Sequence, residues 1–402
     1  MATAAGARPK LPPTGIGVLA ERFDPDVMDL PAGRARIRLG SKDGLAWDAV
    51  VTGEGLELEP TDSKEPDAIL PADEATWRRI ARDVRGGMDA FRSRRLRVRK
   101  NLHLGIGFLA ATSANTEPGR LRFGSVESKA GKLSLLEAGT GEPIVAVHGL
   151  GGTKASFLPT VAALAGPEYR VIALDLPGSG ESDKPLGAPY NASWMADAVA
   201  SALDGLDIDR AHVLGNSMGG RVAIEMGLRH PSRVASLGLL SPALAWLRDR
   251  PWTPIVRLLR PELGLLQPTP RPVVEGFVRR LIPGADRDTW AAAGVDEFLR
   301  AYTNPRGRAA FYAALRNIYL DEPRGERGFW TRLEHLSPRA LFVWGRHDRL
   351  VPIAFMRHVE DALPAARHVE LNCGHVPQLE APRETHAAIR DFLRSPKARR
   401  AR

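Results

Sequence analysis

Over the first hundred residues the hydrophobic positions recur every second residue in short stretches separated by small and charged ones. In 34–39, Ala35, Ile37 and Leu39 fall on one face of an extended chain. Stretches 45–51 and 56–58 follow, with turn-forming residues at 41–44 and 53–55, and the pattern predicts an antiparallel meander. A further strand is expected at 68–70. Pro71-Ala72-Asp73 then opens a helix with Asp73 as its N-cap, and Trp77, Ile80 and Ala81 at i, i+3, i+4 give that helix one apolar stripe. A short helix around 88–91, a strand at 96–98 and an apolar terminal segment at 102–110 complete the block.

The pattern changes after a small, polar stretch at 113–119. Short apolar runs at 143–147, 171–174, 211–214, 234–240 and 340–344 alternate with helical stretches. One of these, 194–206, places Met195, Val199 and Leu203 on a single face. Such alternation predicts an α/β domain with a mostly parallel sheet covered by helices, preceded by a smaller α+β domain. In that architecture chemistry sits at the carboxyl ends of the strands. Roughly ninety residues, 242–335, interrupt the alternation and read as a helical cap. The stretch 246–335 holds 11 of the chain's 25 aromatic residues, enough to pack a cap and to line an apolar pocket. Prolines 251, 254, 261, 268, 270 and 272 break its first half into short pieces.

Composition narrows the class. The 402 residues are 44% hydrophobic and 26% charged, which excludes wholesale disorder. Cys373 is the one cysteine, so neither an intramolecular disulfide nor a cysteine-based metal cage can form. The first fifteen residues hold no apolar run of a signal peptide, and stretches such as 104–111 fall well short of the ~20 residues of a bilayer span. A cytoplasmic protein is expected. The net charge of +9 is local: residues 78–100 carry ten basic and two acidic side chains, and 394–402 form a basic tail. With Phe91 the lone aromatic in 78–100 and no nucleic-acid module around it, no nucleic-acid partner is expected. Weak contact with anionic membranes remains open.

Candidate chemistry lies where the strands end. Gly215-Asn216-Ser217-Met218-Gly219-Gly220 follows the run 211–214 and precedes a helical segment, a G-x-S-x-G pattern in its strand–turn–helix setting. A serine there needs a base, and the base needs an orienting acid. Asp348 stands just past the run 340–344, and His375 just past 368–371, in the order Ser217, Asp348, His375. The stretch 234–247 contains no carboxylate, which leaves Asp348 as the acid. An oxyanion hole needs two backbone N–H groups. Met218 supplies one candidate, and Leu150 in His148-Gly149-Leu150-Gly151-Gly152 the other. Asp175, with the Gly178 and Gly180 turn, reads as loop architecture, His148 as a support of the oxyanion loop, His347 as a bystander and Cys373 as packing.

These motifs, with Asp175-Leu176-Pro177-Gly178-Ser179-Gly180-Glu181-Ser182 and Cys373-Gly374-His375, make residues 121–393 resemble the α/β-hydrolase family. The resemblance implies a Ser–His–Asp hydrolase without a cofactor. The N-terminal order of meander, two helices, strand and apolar helix, most suggestive over 66–112, resembles the sterol-carrier-protein type of lipid-binding domain, which implies an apolar ligand there. The expected organisation is therefore a flexible start (1–21), a sterol-carrier-like domain (22–112), a linker (113–120), a hydrolase domain (121–393) and a basic tail (394–402). The expected reaction is hydrolysis of carboxylic esters of apolar or lipid-like substrates through an acyl-enzyme. Two other readings stay open. The elbow also looks like that of hydrolases cleaving carbon–carbon bonds in ring-fission products, although those carry Trp after the His where Val376 stands here. A lipid carrier with a non-catalytic hydrolase fold is the other.

Overall fold

Residues 14–40, 46–82, 90, 95–115, 117, 119–247, 250–267, 270, 272–276 and 289–395 are described by a computed structural model. The chain divides into two compact units, Met1–Gly124 with Glu275–Arg300, and Ser125–Val274 with Ala301–Arg402.

In the first unit the predicted alternation becomes a four-stranded sheet of order β3-β2-β1-β4. Its strands are β1 (Arg34–Gly40), β2 (Ala46–Thr52), β3 (Gly55–Pro60) and β4 (Ala68–Pro71). Neighbours β1–β2 and β2–β3 are antiparallel, while β4 runs parallel to β1. Ala35, Ile37 and Leu39 are buried as their spacing requires. Arg36 and Arg38, on the other face of β1, both bond the buried Asp48 of β2, at 3.0 and 2.8 Å. The helix Glu74–Arg82 starts where the carboxylate of Asp73 accepts from the Thr76 N–H, and its Trp77, Ile80 and Ala81 are buried. The short helix expected around 88–91 lies outside the described residues except for Ala90. The strand expected at 96–98 is a correction: only Arg99 pairs, as an isolated antiparallel bridge to Ile69. The chain turns there at Lys100, whose φ is 68°, and the next helix begins two residues later.

That helix, Leu102–Ala111, is buried at every position. Its N-terminal N–H groups are met from two sides. Asn101 accepts from Leu104 N–H, and Glu297 accepts from Leu102 N–H at 2.7 Å. Beside it, Asp296 accepts from the Arg99 guanidinium at 2.6 Å and from Lys100 N–H at 3.1 Å. Both carboxylates lie on the helix Thr289–Thr303. The segment read as one continuous cap is thus divided by its packing, with 275–300 grouped with residues 1–124.

The second unit is built on an eight-stranded sheet of order β12-β11-β10-β9-β7-β8-β6-β5. Five expected apolar runs are β7 (Glu142–Val147), β8 (Tyr169–Leu174), β9 (Ala211–Asn216), β10 (Val234–Leu240) and β11 (Ala340–Gly345). Their parallel pairing extends to β12 (Arg367–Leu371). The leading pair, β5 (Arg122–Ser128) and β6 (Gly131–Ala138), was not foreseen, and β6 runs antiparallel to β8. Met195, Val199 and Leu203 of the helix Ala192–Gly205 sit in the hydrophobic core with the sheet. No described helix is long and apolar enough to cross a membrane.

A buried ion pair ties the ends of β7 and β8 together. Lys154 donates to Asp175 through its ammonium and its backbone N–H, both at 2.6 Å, with neither side chain more than 2% exposed. The ammonium also donates to Ser134, and Asp175 accepts from Glu181 N–H. Asp175 therefore shapes the loop, as its sequence context indicates. Burial acts to raise the pKa of Asp175, but the charge of Lys154 and the bonds from its ammonium and backbone N–H outweigh it and hold the carboxyl far below the usual range. A depressed folded pKa means stability that is present above the ordinary carboxylate value and lost as pH falls through the folded one. Lys154→Met is expected to destabilise the protein by about 3–5 kcal/mol, because it strands a buried carboxylate. Urea unfolding of the two proteins at neutral pH measures the loss. The gap should narrow at acidic pH as Asp175 takes a proton in the variant.

Candidate active site

Ser217 sits between β9 and the helix Met218–Arg229 with φ 52° and ψ −118°, a conformation that costs an L-residue about 1–3 kcal/mol. Contacts on both sides hold it there. Its N–H donates to Leu240 O, and its carbonyl accepts from Ala243 N–H. The turn closes so tightly that a Cβ on Gly215 would lie 2.2 Å from Gly219 O, and one on Gly219 would lie 2.1 Å from Val147 O. No other residue type fits either position, which is why the two glycines flank the serine.

Asp348 and His375 meet, as their strand-end positions led one to expect. His375 Nδ1 lies 2.7 Å from Asp348 Oδ2, and the second carboxylate oxygen accepts from the N–H groups of Leu350 and Val351 at 2.8 and 2.9 Å. Burial would raise the Asp348 pKa. The hydrogen bond and charge of His375, with the two amides, overcome it and keep the carboxyl below its ordinary value. An ionised Asp348 can only accept, so Nδ1 carries the proton and Nε2 presents a lone pair. His375 is joined to the elbow through Asn216, whose side-chain amide donates to both Leu240 O and His375 O.

The two candidate oxyanion donors flank the same serine in the chain or in space. Met218 opens its helix, so its N–H has no acceptor within that helix. In the loop after β7, a Cβ on Gly149 would lie 3.1 Å from Ser217 Cβ, so the backbone leading into Leu150 passes directly against the elbow. His148 braces that loop. Its Nε2 accepts from Leu176 N–H at 3.0 Å, which leaves Nδ1 to donate to Gly149 O at 2.8 Å. Burial lowers its pKa, so this histidine stays neutral and acts as a strut. His347 bonds Asn372 at the surface. Burial, with the charges of Glu380, Asp348 and Glu384, pushes the Cys373 thiol up to about 11, which keeps it protonated and poorly nucleophilic.

Two supporting residues escaped sequence reasoning. Glu380 accepts from Gly374 N–H at 2.7 Å and from Val376 N–H at 2.8 Å, bracketing the backbone of His375. Its signal was a glutamate five residues after the histidine, too short a hint without the turn that folds it back. Glu380→Ala is expected to lower kcat by roughly 10–100-fold with little change in KM, since the base loses its position and the substrate contacts stay. Steady-state kinetics would check it, with Glu380→Gln, which keeps one acceptor oxygen, falling between. The other is Arg221, one turn beyond Ser217 and buried, which pairs with Glu225 and Asp321 at 3.1 and 3.0 Å. Glu225 also accepts from Arg332 at 2.8 Å, so the helix Met218–Arg229 is tied to the helix Phe329–Leu333. Among the described residues, no group of three or more His, Cys, Asp or Glu side chains could hold a metal ion.

Comparison with known proteins places the fold. A 2-hydroxy-6-oxononadienedioate/2-hydroxy-6-oxononatrienedioate hydrolase of Cupriavidus pinatubonensis is 30% identical over 297 residues, covering 71% of this chain and 99% of that protein. An enol-lactonase from Burkholderia xenovorans shares the fold with a TM-score of 0.57 and 24% identity, over 68% of this chain and all of its own. A thermophilic esterase from Thermogutta terrifontis matches with a TM-score of 0.55 and 26% identity, over 68% of this chain and 98% of its own. The family model described as alpha/beta hydrolase fold matches residues 142–382, more than half of the sequence, and the chain belongs to that family.

Proposed function

We propose that this protein is a serine hydrolase of carboxylic esters carrying apolar or lipid-like groups. The observation that carries the reading is the strained elbow at Ser217 set with the Asp348–His375 pair, whose Nε2 lone pair is left for a proton. Ser217 Oγ attacks the ester carbonyl carbon while His375 Nε2 takes the hydroxyl proton. Asp348 stabilises the imidazolium that forms. The oxyanion of the tetrahedral intermediate is received by the N–H groups of Met218 and Leu150. Collapse breaks the C–O bond, and the leaving alkoxide takes the proton from His375. Water then attacks the acyl-enzyme with His375 again as base, releasing the acid and restoring Ser217.

Apolar substrate groups are supported by the aromatic residues of the cap. The order of elements in the first unit, meander, helix Glu74–Arg82, bridge at Arg99 and buried helix Leu102–Ala111, supports a lipid-binding role for it. A second reading is carbon–carbon bond hydrolysis, favoured by the relative named for a ring-fission-type dienoate substrate and by the Gly215–Gly220 elbow. Val376 after His375 counts against it.

Initial rates on p-nitrophenyl esters of increasing acyl length, beside a 2-hydroxy-6-oxo-dienoate, separate the two. Ser217-dependent turnover of medium or long esters supports the proposal. Turnover of the dienoate alone overturns it in favour of the second reading. Retention of a fatty-acyl ligand by the full chain, unaffected by Ser217→Ala, would support the role of the first unit.

A further inference from the structure

Six large apolar side chains stand exposed within fifteen consecutive residues of the cap: Trp252, Ile255, Leu258, Leu259, Leu263 and Leu266, with Leu258 and Leu266 at 82% each. Ile255 and Leu258 lie on the short helix Thr253–Leu258, which Trp252 and Leu259 flank, and Leu263 and Leu266 lie on the 3-10 turn Pro261–Leu266. Soluble proteins rarely concentrate such surface without use for it. The way the segment is anchored makes the display a built feature. It is held to the helix Pro305–Leu320 through its backbone: Arg308 Nε donates to Gly264 O at 2.6 Å, and Arg316 donates to Val256 O and Arg257 O at 3.0 and 2.8 Å. Gly264 lies against the Tyr312 ring, where a Cβ would come within 2.8 Å. With its carbonyls gripped inward by arginines, the segment turns its leucines, isoleucine and tryptophan outward.

We propose that this face is a docking surface for an anionic lipid bilayer, into whose interface the six side chains insert. Charge selects the occupant. The exposed side chains interleaved with the apolar ones are Arg257 and Arg260 against the single Glu262, and the sequence from 246 to 273 holds five arginines, one aspartate and one glutamate. A second copy of the chain docked about a two-fold axis would set Arg257 and Arg260 against themselves. A surface of phosphate headgroups over hydrocarbon instead satisfies both the basic and the apolar groups, as in helices that lie in the membrane interface. The proposal stands apart from the chemistry at Ser217, because it concerns where the enzyme works and not which bond it breaks.

Co-sedimentation of the full-length protein with vesicles of phosphatidylcholine containing roughly one-third phosphatidylglycerol tests it. Binding to these vesicles at low salt is expected, weakening as salt rises and falling sharply with phosphatidylcholine alone. The double variant Leu258→Asp/Leu266→Asp should lose roughly tenfold or more in affinity, because two exposed side chains no longer leave water for hydrocarbon. Its hydrolysis of a water-soluble ester should match the parent, which shows that the fold is intact. Three results would overturn the proposal. One is no sedimentation of the parent at low salt, and another is equal binding by the double variant, which would place attachment in the basic stretch 78–100 or the tail. The third is a parent dimer in analytical ultracentrifugation that the double variant converts to monomer, which would make a second copy the occupant.

Discussion

Replacing Ser217 with alanine is expected to reduce ester turnover by roughly 10⁴-fold or more while leaving the fold in place. In the proposed mechanism the side chain supplies the attacking oxygen. The turn itself is held by Leu240 O, Ala243 N–H and the two flanking glycines, all of which alanine leaves untouched. Thermal unfolding should therefore change little. Glycine at the same position separates strain from chemistry. It tolerates φ 52° without cost, so Ser217→Gly should be as inactive as alanine yet more stable by about 1 kcal/mol. Hydrolysis assays and melting curves on the two variants check both statements. Alanine retaining a rate within tenfold of the parent would remove Ser217 from the mechanism.

Asp348→Asn is expected to cost nearly as much, roughly 10³–10⁴-fold in kcat, for a reason that concerns one proton. In the parent, Oδ1 accepts from two backbone N–H groups and Oδ2 accepts from His375 Nδ1. Asparagine keeps Oδ1 on the two amides, because only an oxygen can accept there. Its NH₂ then faces His375, which must present a lone pair at Nδ1 and carry its proton at Nε2. The imidazole remains in place but can no longer take a proton from Ser217. The variant should fold, bind substrate with a KM near that of the parent, and turn over slowly. Steady-state kinetics decide the matter, and a kcat within tenfold of the parent would show that another group holds the base.

The site was legible from the residues because its chemistry is local in sequence. Ser217 and Asp348 stand at the ends of apolar runs that form buried strands, His375 follows the edge strand Arg367–Leu371, and parallel pairing brings successive strand ends to one edge. The turn at Ser217 was legible for the same reason, since two glycines around a serine make sense only where a Cβ has no room. What was missed depends on contacts between distant positions. Lys154 looks like any surface lysine until β7 and β8 bring it beside Asp175, 21 residues away. Arg221 looks like an exposed helix residue until Asp321 and the Phe329 ring close over it. The hairpin of β5 and β6 carries no clear alternation in β5, whose buried positions, Phe123 and Val126, stand three apart and not two.

The cap marks where local pattern stops being informative. Its length, proline breaks and aromatic content were all visible in the residue order, as was the fold of the hydrolase sheet. Which way each piece faces was not. Asp296 and Glu297 are buried against the N–H groups of Lys100 and Leu102 and the guanidinium of Arg99, partners about 195 positions away in the chain. Leu258, Leu259, Leu263 and Leu266 face outward while Arg308 and Arg316 bond the backbone of their segment, which the order of residues does not reveal. Hydrophobic periodicity records which side chains are apolar along one element. Burial is decided by which other element competes for that face, and only the folded chain brings the competitors together.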